Sequence, residues 1–306
     1  MAKTSALTPA GPPGRGTVFK GVAYVLIAIL FFDAMSIAAR FLLDRYSAQE
    51  LSVYRNVLGV LPSLIVLIWT GELRLRGSNL KMRQWKLAVS RGLVVALAQV
   101  FFFAALGLLE YATVATLMFT NALFLVALSV PVLREKVGFW RWGAVLTGFA
   151  GVLLILRPGS DTFSLAALLP VAAAFCYAVA GLFARKIDRD VSTSLLYLYS
   201  AAAAAVGALI LAISTIEFTQ ITSLKDAGLI LCMGFSGGCG VLAITLGYRT
   251  VPPSIVAPFQ YFGLLTALAI GYLFFNELPV ETLFPGVFFI LASGLLILWR
   301  EGRTKS

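Results

Sequence analysis

Residues 143–157 read GAVLTGFAGVLLILR and residues 286–300 read GVFFILASGLLILWR. One offset aligns Gly143 with Gly286, Gly151 with Gly294 and Arg157 with Arg300, and a nearly unbroken apolar run leads into each arginine. About 20 apolar residues in a helix cross about 30 Å of hydrocarbon, so segments of this kind belong in lipid. The composition agrees: over 306 residues, 60% are hydrophobic and 12% charged, and the mean hydropathy is +0.93. A water-exposed surface of this size needs more charge than that.

Working outward from the two segments, runs of similar character bounded by charge, Gly or Pro predict ten spans. They lie near 18–43, 50–70, 87–108, 112–133, 140–156, 165–184, 192–213, 226–247, 253–275 and 282–299, which makes the two opening segments the fifth and the tenth. Further matches sit at corresponding places. Arg134-Glu135 follows the fourth span as Asn276-Glu277 follows the ninth, Leu106-Gly107 pairs with Leu246-Gly247, and Ala39-Arg40 with Ala184-Arg185. The offsets drift by a few residues, as loop insertions produce. The expected fold class is therefore all-α integral membrane, with ten transmembrane helices arranged as two inverted five-helix repeats. Five is odd, so the second copy enters the membrane from the opposite side. The expected division is a tail over 1–17, repeats over 18–157 and 158–300, and a tail over 301–306. The first tail is Gly/Pro-rich and no small-residue cleavage pattern follows the first span, so no removable signal peptide is expected.

Charge placement sets the expected orientation. Of 24 Lys and Arg, nineteen fall on the side of the N-terminus, among them Lys20, Lys86, Arg91, Arg141 and Arg249. Arg45, Arg157 and Lys225 fall on the other, while Arg40 and Arg55 lie inside spans. The positive-inside rule then puts both termini in the cytoplasm, and a bacterial inner membrane is the expected location. The basic residues are spaced between apolar runs and form no groove-sized patch, so a nucleic-acid partner is not expected.

Several chemistries are excluded. No histidine occurs, which removes the commonest general base and metal ligand. No phosphate-cradling G-x-x-x-x-G-K-[ST] loop is present. Gly234-Phe235-Ser236-Gly237 fits a serine-nucleophile pattern in an apolar helix, yet that chemistry needs a base. Cys176, Cys232 and Cys239 sit in apolar runs without ligand or disulfide spacing. No enzyme activity, catalytic residue, metal or cofactor is expected.

Arg55-Asn56, Arg91-Gly92, Leu133-Arg134-Glu135-Lys136, the Gly148 to Leu154 stretch, Ala257-Pro258 and Phe275-Asn276-Glu277 occur in an order and spacing that resembles the drug/metabolite transporter superfamily, in its ten-helix EamA type. From Tyr261 to Glu277-Leu278-Pro279 the second half is similar to bacterial uptake carriers for S-adenosylmethionine and riboflavin. The resemblance implies a secondary transporter with a midplane cavity between its halves, opened alternately to either side. Its partners would be the lipid bilayer and a small-molecule solute, first of all a vitamin or nucleoside-like compound taken up. Export of amino acids or drugs is the alternative, and a receptor or channel the alternative of another class.

Charge inside a span costs about 2.5–3.5 kcal/mol on insertion scales and normally faces a cavity or a partner. Asp33, with Ser36 and Arg40 on its helical face, and Arg55, with Ser52, Gly59 and Pro62 on its own, are the candidates for solute binding or coupling. An Asp33–Arg55 ion pair that fixes helix packing is the competing reading. Gln99, Thr120, Asn121, Tyr177, Gln260 and Tyr261 supply polar groups at similar depth, and interhelical hydrogen bonding is their competing reading. Gly143, Thr147 and Gly151 form a small-residue stripe suited either to intrachain packing or to a homodimer.

Overall fold

The computed structural model describes residues 15–69, 82–133, 138–157, 164–187, 191, 193–251, 259–260, 262–277 and 280–303, and among them every regular element is a helix. The helices are α1 (Arg15–Leu42), α2 (Ala48–Trp69), α3 (Trp85–Leu108), α4 (Tyr111–Met118), α5 (Thr120–Leu133) and α6 (Phe139–Leu156). A 3-10 turn at Leu165–Ala167 leads into α7 (Leu168–Lys186), followed by α8 (Thr193–Thr215), α9 (Leu224–Thr250), α10 (Phe262–Phe275), the single turn α11 (Val280–Leu283) and α12 (Gly286–Arg303). Six helical segments among the described residues are long and apolar enough to cross a membrane, beginning at Arg15, Trp85, Tyr111, Leu165, Leu195 and Leu224. Their outward surface stays apolar, as at Phe19, Leu30 and Leu273, which are 74%, 59% and 73% exposed. Lipid, unlike water, accepts such a surface provided that the backbone satisfies itself internally, as helices do.

The expected fourth span is two helices. Phe119 breaks it, with Phe119 N–H donating to Thr116 O at 3.1 Å and Ala122 N–H to Phe119 O at 3.2 Å, the tighter i to i+3 pattern. The start of the expected ninth span, 252–258, lies outside the described residues.

Small residues let the helices approach. α9 runs antiparallel to α1, with Gly21 beside Val251 at one end, and Gly240 beside Phe32 and Gly237 beside Met35 further along. α2 lies between α8 and α9. A Cβ on Gly238 would stand 2.6 Å from Gly59 O, so these two backbones are in contact. α3 packs on α7 and α8, where Gly92 meets the Ser200 carbonyl. α6 pairs with α12 through Gly151 and Gly286, each of which would drive a side chain into the other's carbonyl. Of the small-residue stripe, Gly151 thus serves intrachain packing, while Gly143 has open space around it.

The Leu42 end of α1 is tied down by side chains. Ser47 and Glu50 form a capping box at the start of α2: Ser47 N–H donates to Glu50 Oε2 at 2.6 Å, and Glu50 N–H to Ser47 Oγ at 3.2 Å. Glu50 Oε1 also accepts from Thr219 N–H at 2.5 Å, joining this corner to the segment before α9. Arg45 Nη1 donates to Asp226 Oδ2 at 2.6 Å and Tyr46 OH to the same oxygen at 3.1 Å. Burial and this carboxylate push the Tyr46 phenol above its ordinary pKa.

Candidate functional site

Between the helices lies a cavity of about 590 Å³. α3 forms one wall, presenting Arg91, Val95, Gln99, Phe102, Phe103 and Leu106. These positions recur at helical spacing, so one face of one helix supplies them all. α1 contributes Phe32, Asp33 and Ser36, α2 Arg55 and Asn56, α4 Tyr111, α5 Asn121, α7 Tyr177 and α8 Tyr197. A pocket of this volume, mostly aromatic and aliphatic with a few converging polar groups, suits a small organic ligand.

The polar groups are organised around Gln99, a residue only 2% exposed. In one orientation its amide oxygen accepts from Asn56 Nδ2 at 2.5 Å, and Asn56 Nδ2 also donates to Ser52 O at 2.8 Å. Turned end for end, Gln99 Oε1 accepts from Arg55 Nη1 at 3.0 Å and Nε at 3.3 Å, while Nε2 donates to Asn56 Oδ1 at 3.2 Å. The turned form gives the arginine acceptors it otherwise lacks, and hydrogen-bond satisfaction favours it. Arg55 also donates to Gly237 O at 3.5 Å, across the glycine that lets α9 come close.

Asp33 and Arg55 both line the cavity but are not an ion pair, which corrects the packing pair considered from sequence. Arg55 directs its donors to amides and a carbonyl. Asp33 Oδ1 accepts from Tyr111 OH at 3.3 Å, and its buried Oδ2 has no hydrogen-bond partner.

Asp33, Arg55, Gln99, Asn121 and Tyr177 are thus brought to one cavity from five helices. The remaining sequence candidates lie elsewhere. Arg40 is two turns further along α1 than Asp33, where Nη1 donates to Leu109 O at 2.7 Å and Nη2 to Glu277 Oε1 at 2.8 Å, so its fork is already filled. Thr120 is fully buried, with its hydroxyl donating to Leu117 O at 2.7 Å across the break between α4 and α5. Gln260 is half-buried and does not line the cavity, and Tyr261 lies outside the described residues. Glu277, matched in the repeat to Glu135, ties helix ends together through Arg40 and Tyr111 N–H, and Glu135 lies outside the described residues.

Sequence reasoning missed Arg91, Asn56, Tyr111 and Tyr197 as cavity residues. Arg91 counted as a topology charge, yet it stands seven residues into α3. Its spacing of eight from Gln99, two helical turns, is the signal that places both on one face.

The EamA-like transporter family matches residues 19–157 and again 164–299. An S-adenosylmethionine uptake transporter of Rickettsia bellii is 23% identical over 286 residues, covering 94% of this chain and 96% of the relative. A riboflavin transporter of Vibrio cholerae is 34% identical over 196 residues, 62% of this chain and 63% of the relative. A pseudopaline exporter of Pseudomonas aeruginosa is 25% identical over 284 residues, 92% of this chain and 97% of the relative. A solved crystal structure superposes with a TM-score of 0.61 at 17% identity, covering 94% of this chain and 99% of its own, which speaks to fold alone. Two family matches that between them span nearly the whole of an apolar, helical, cavity-bearing chain leave one conclusion: it belongs to the EamA-like transporter family of the drug/metabolite transporter superfamily and is a multi-pass membrane transporter.

Proposed function

We propose that this chain is a secondary transporter that carries a ring-bearing organic metabolite, of the vitamin or nucleoside-like class, into a bacterial cell by alternating access. The observation that carries the reading is the cavity of about 590 Å³ in which Asp33, Arg55, Gln99, Asn121 and Tyr177 converge among aromatic side chains. Phe32, Phe102, Phe103 and Tyr177 suit a flat ring, and the amides and charges suit its polar substituents. Relatives named for S-adenosylmethionine and riboflavin, both ringed compounds, support uptake of such a solute.

Alternating access follows from two inverted halves of five spans, residues 18–157 and 158–300, flanked by cytoplasmic tails 1–17 and 301–306. Helix packing supports this division. If α1, α2, α3 and α5 correspond to α7, α8, α9 and α10, exchanging the halves turns α1 on α9 into α7 on α3, α2 on α9 into α8 on α3, and α5 on α7 into α10 on α1, and all six contacts occur. The excess of Lys and Arg on the side of the N-terminus supports cytoplasmic termini even with Arg91 removed from the count. Export is the second reading, favoured by the likeness to a pseudopaline exporter over 92% of this chain.

The test is a thermal-shift screen of the detergent-purified chain against riboflavin, S-adenosylmethionine, nucleosides and aromatic amino acids, followed by counterflow of each hit in proteoliposomes. A ligand that both stabilises the protein and exchanges across the bilayer establishes the carrier and its class. Stabilisation without flux would make the cavity a receptor site and overturn the proposal.

A further inference from the structure

The polar cluster around Gln99 occupies only one part of the cavity. Arg91 lines the same wall eight residues earlier on α3, about 12 Å away along the helix axis. α3 ends at Leu108, and the next residue, Leu109, is held by Arg40 near the Leu42 end of α1, so Arg91 lies toward the opposite, Arg15 end of the bundle. The two arginines differ in how they are held. Arg55 has Gly237 O, Asn56 Oδ1 and the Gln99 amide around it. Arg91 has no hydrogen-bond or ion-pair partner among the described residues, and its Nε is completely buried. Tyr197 of α8 is the polar group beside it.

The cavity's charges do not balance. Its described lining holds two arginines, Arg55 and Arg91, against one acid, Asp33, which is bonded to Tyr111. A guanidinium whose Nε is buried without an acceptor is costly in hydrocarbon, and such groups in membrane carriers face the species that completes them. A guanidinium offers five donors in a planar fork that matches a carboxylate or a phosphate.

We propose that Arg91 is an anion subsite at one end of the central cavity, and that the solute is a ring compound bearing a carboxylate or phosphate about 10 Å from its ring. The inference rests on the carrier reading above and narrows its substrate class. The ring lies against Phe102 and Tyr177 within reach of the Gln99 amide, and the anion extends along α3 to Arg91. Anionic or zwitterionic solutes fit this arrangement, and neutral analogues leave the Arg91 fork empty.

Matched probes test it on the purified full chain: riboflavin against riboflavin 5′-phosphate, and 5′-methylthioadenosine against S-adenosylhomocysteine, whose carboxylate stands at the end of an extended arm. Binding is measured for the wild type, Arg91→Gln and Arg91→Lys. The wild type should bind at least one charged member about tenfold or more tightly than its neutral partner. Arg91→Gln should bring the two within about twofold by weakening the charged member alone, and Arg91→Lys should keep part of the preference. Preference confined to one pair identifies phosphate or carboxylate as the anion. Equal binding within both pairs, a preference that survives Arg91→Gln, or no binding of any of the four overturns the subsite. Competition on the wild type serves if Arg91→Gln does not fold: inorganic phosphate or acetate should displace the charged member and spare the neutral one, and failure to do so overturns the proposal. Counterflow separates this inference from its foundation. Flux of neutral solutes without anion preference removes the subsite and keeps the carrier, whereas anion-selective binding without flux removes the carrier and keeps the subsite.

Discussion

Arg40 and Glu277, 237 positions apart in the chain, meet at 2.8 Å with 22% and 16% of their side chains exposed. Glu277 turns its other oxygen to Tyr111 N–H at 2.7 Å, at the start of α4, while Arg40 holds Leu109 O and stands over the Phe275 ring at 5.7 Å. Asn276, at φ 53°, aims Glu277 at these partners from a left-handed conformation that asparagine tolerates. The ends of α1, α3, α4 and α10 are thereby clasped together beside the cavity, since Tyr111 also reaches Asp33. Arg40→Ala and Glu277→Gln should each lower the melting temperature, because a half-buried partner left unpaired costs about 1–3 kcal/mol. Both should also slow counterflow; unchanged melting and flux in both variants would show that the clasp is incidental.

Asp33→Asn keeps an acceptor for Tyr111 and removes the charge, and Arg55→Ala empties the space beside Gln99. Each is expected to reduce counterflow about tenfold or more while the protein reaches the membrane in normal amount. Normal flux in both would take the cavity off the solute's path, and loss of protein from the membrane would assign the two residues to folding.

Gln99→Glu places a carboxylate within reach of Arg55 at the position where the turned amide accepts at 3.0 Å. The new internal pair should compete with any solute acceptor for the guanidinium. Binding should weaken without loss of thermal stability, and an unaltered Kd would show that Arg55 does not face the solute.

Gly238→Ala puts a methyl 2.6 Å from Gly59 O, and overpacking of this kind costs about 1–3 kcal/mol. Gly143→Ala enters open space and should be neutral or gain up to about 1 kcal/mol from helix propensity. Melting curves of the two variants side by side check the contrast, and equal melting would deny the close approach of α2 and α9.

Helix positions and the polar character of Asp33, Arg55 and Gln99 were legible because apolar run length and isolated polar residues are local properties of a sequence. Convergence was not. Whether Arg40 or Asp33 faces the cavity depends on which helix crosses at each height, and the decisive partner of Arg40 is a glutamate from the far end of the chain. Arg91 was misread because a positive charge near a helix end normally marks topology. Thr120 counted as a cavity group, but hydroxyls have nearby backbone within reach, and Thr116 and Thr120 donate to Ala112 O and Leu117 O. The break at Phe119 has no Gly or Pro to announce it.

The Gln99 amide is spent on the wall itself: in the orientation that hydrogen bonding favours it accepts from Arg55 and donates to Asn56. A group already committed in this way holds its neighbours in place and leaves little for an incoming molecule to read. On the carrier reading proposed above, discrimination would fall to the charges at Asp33 and Arg91, and a change of cargo would call for a change of charge at the edges while the amide centre stays as it is.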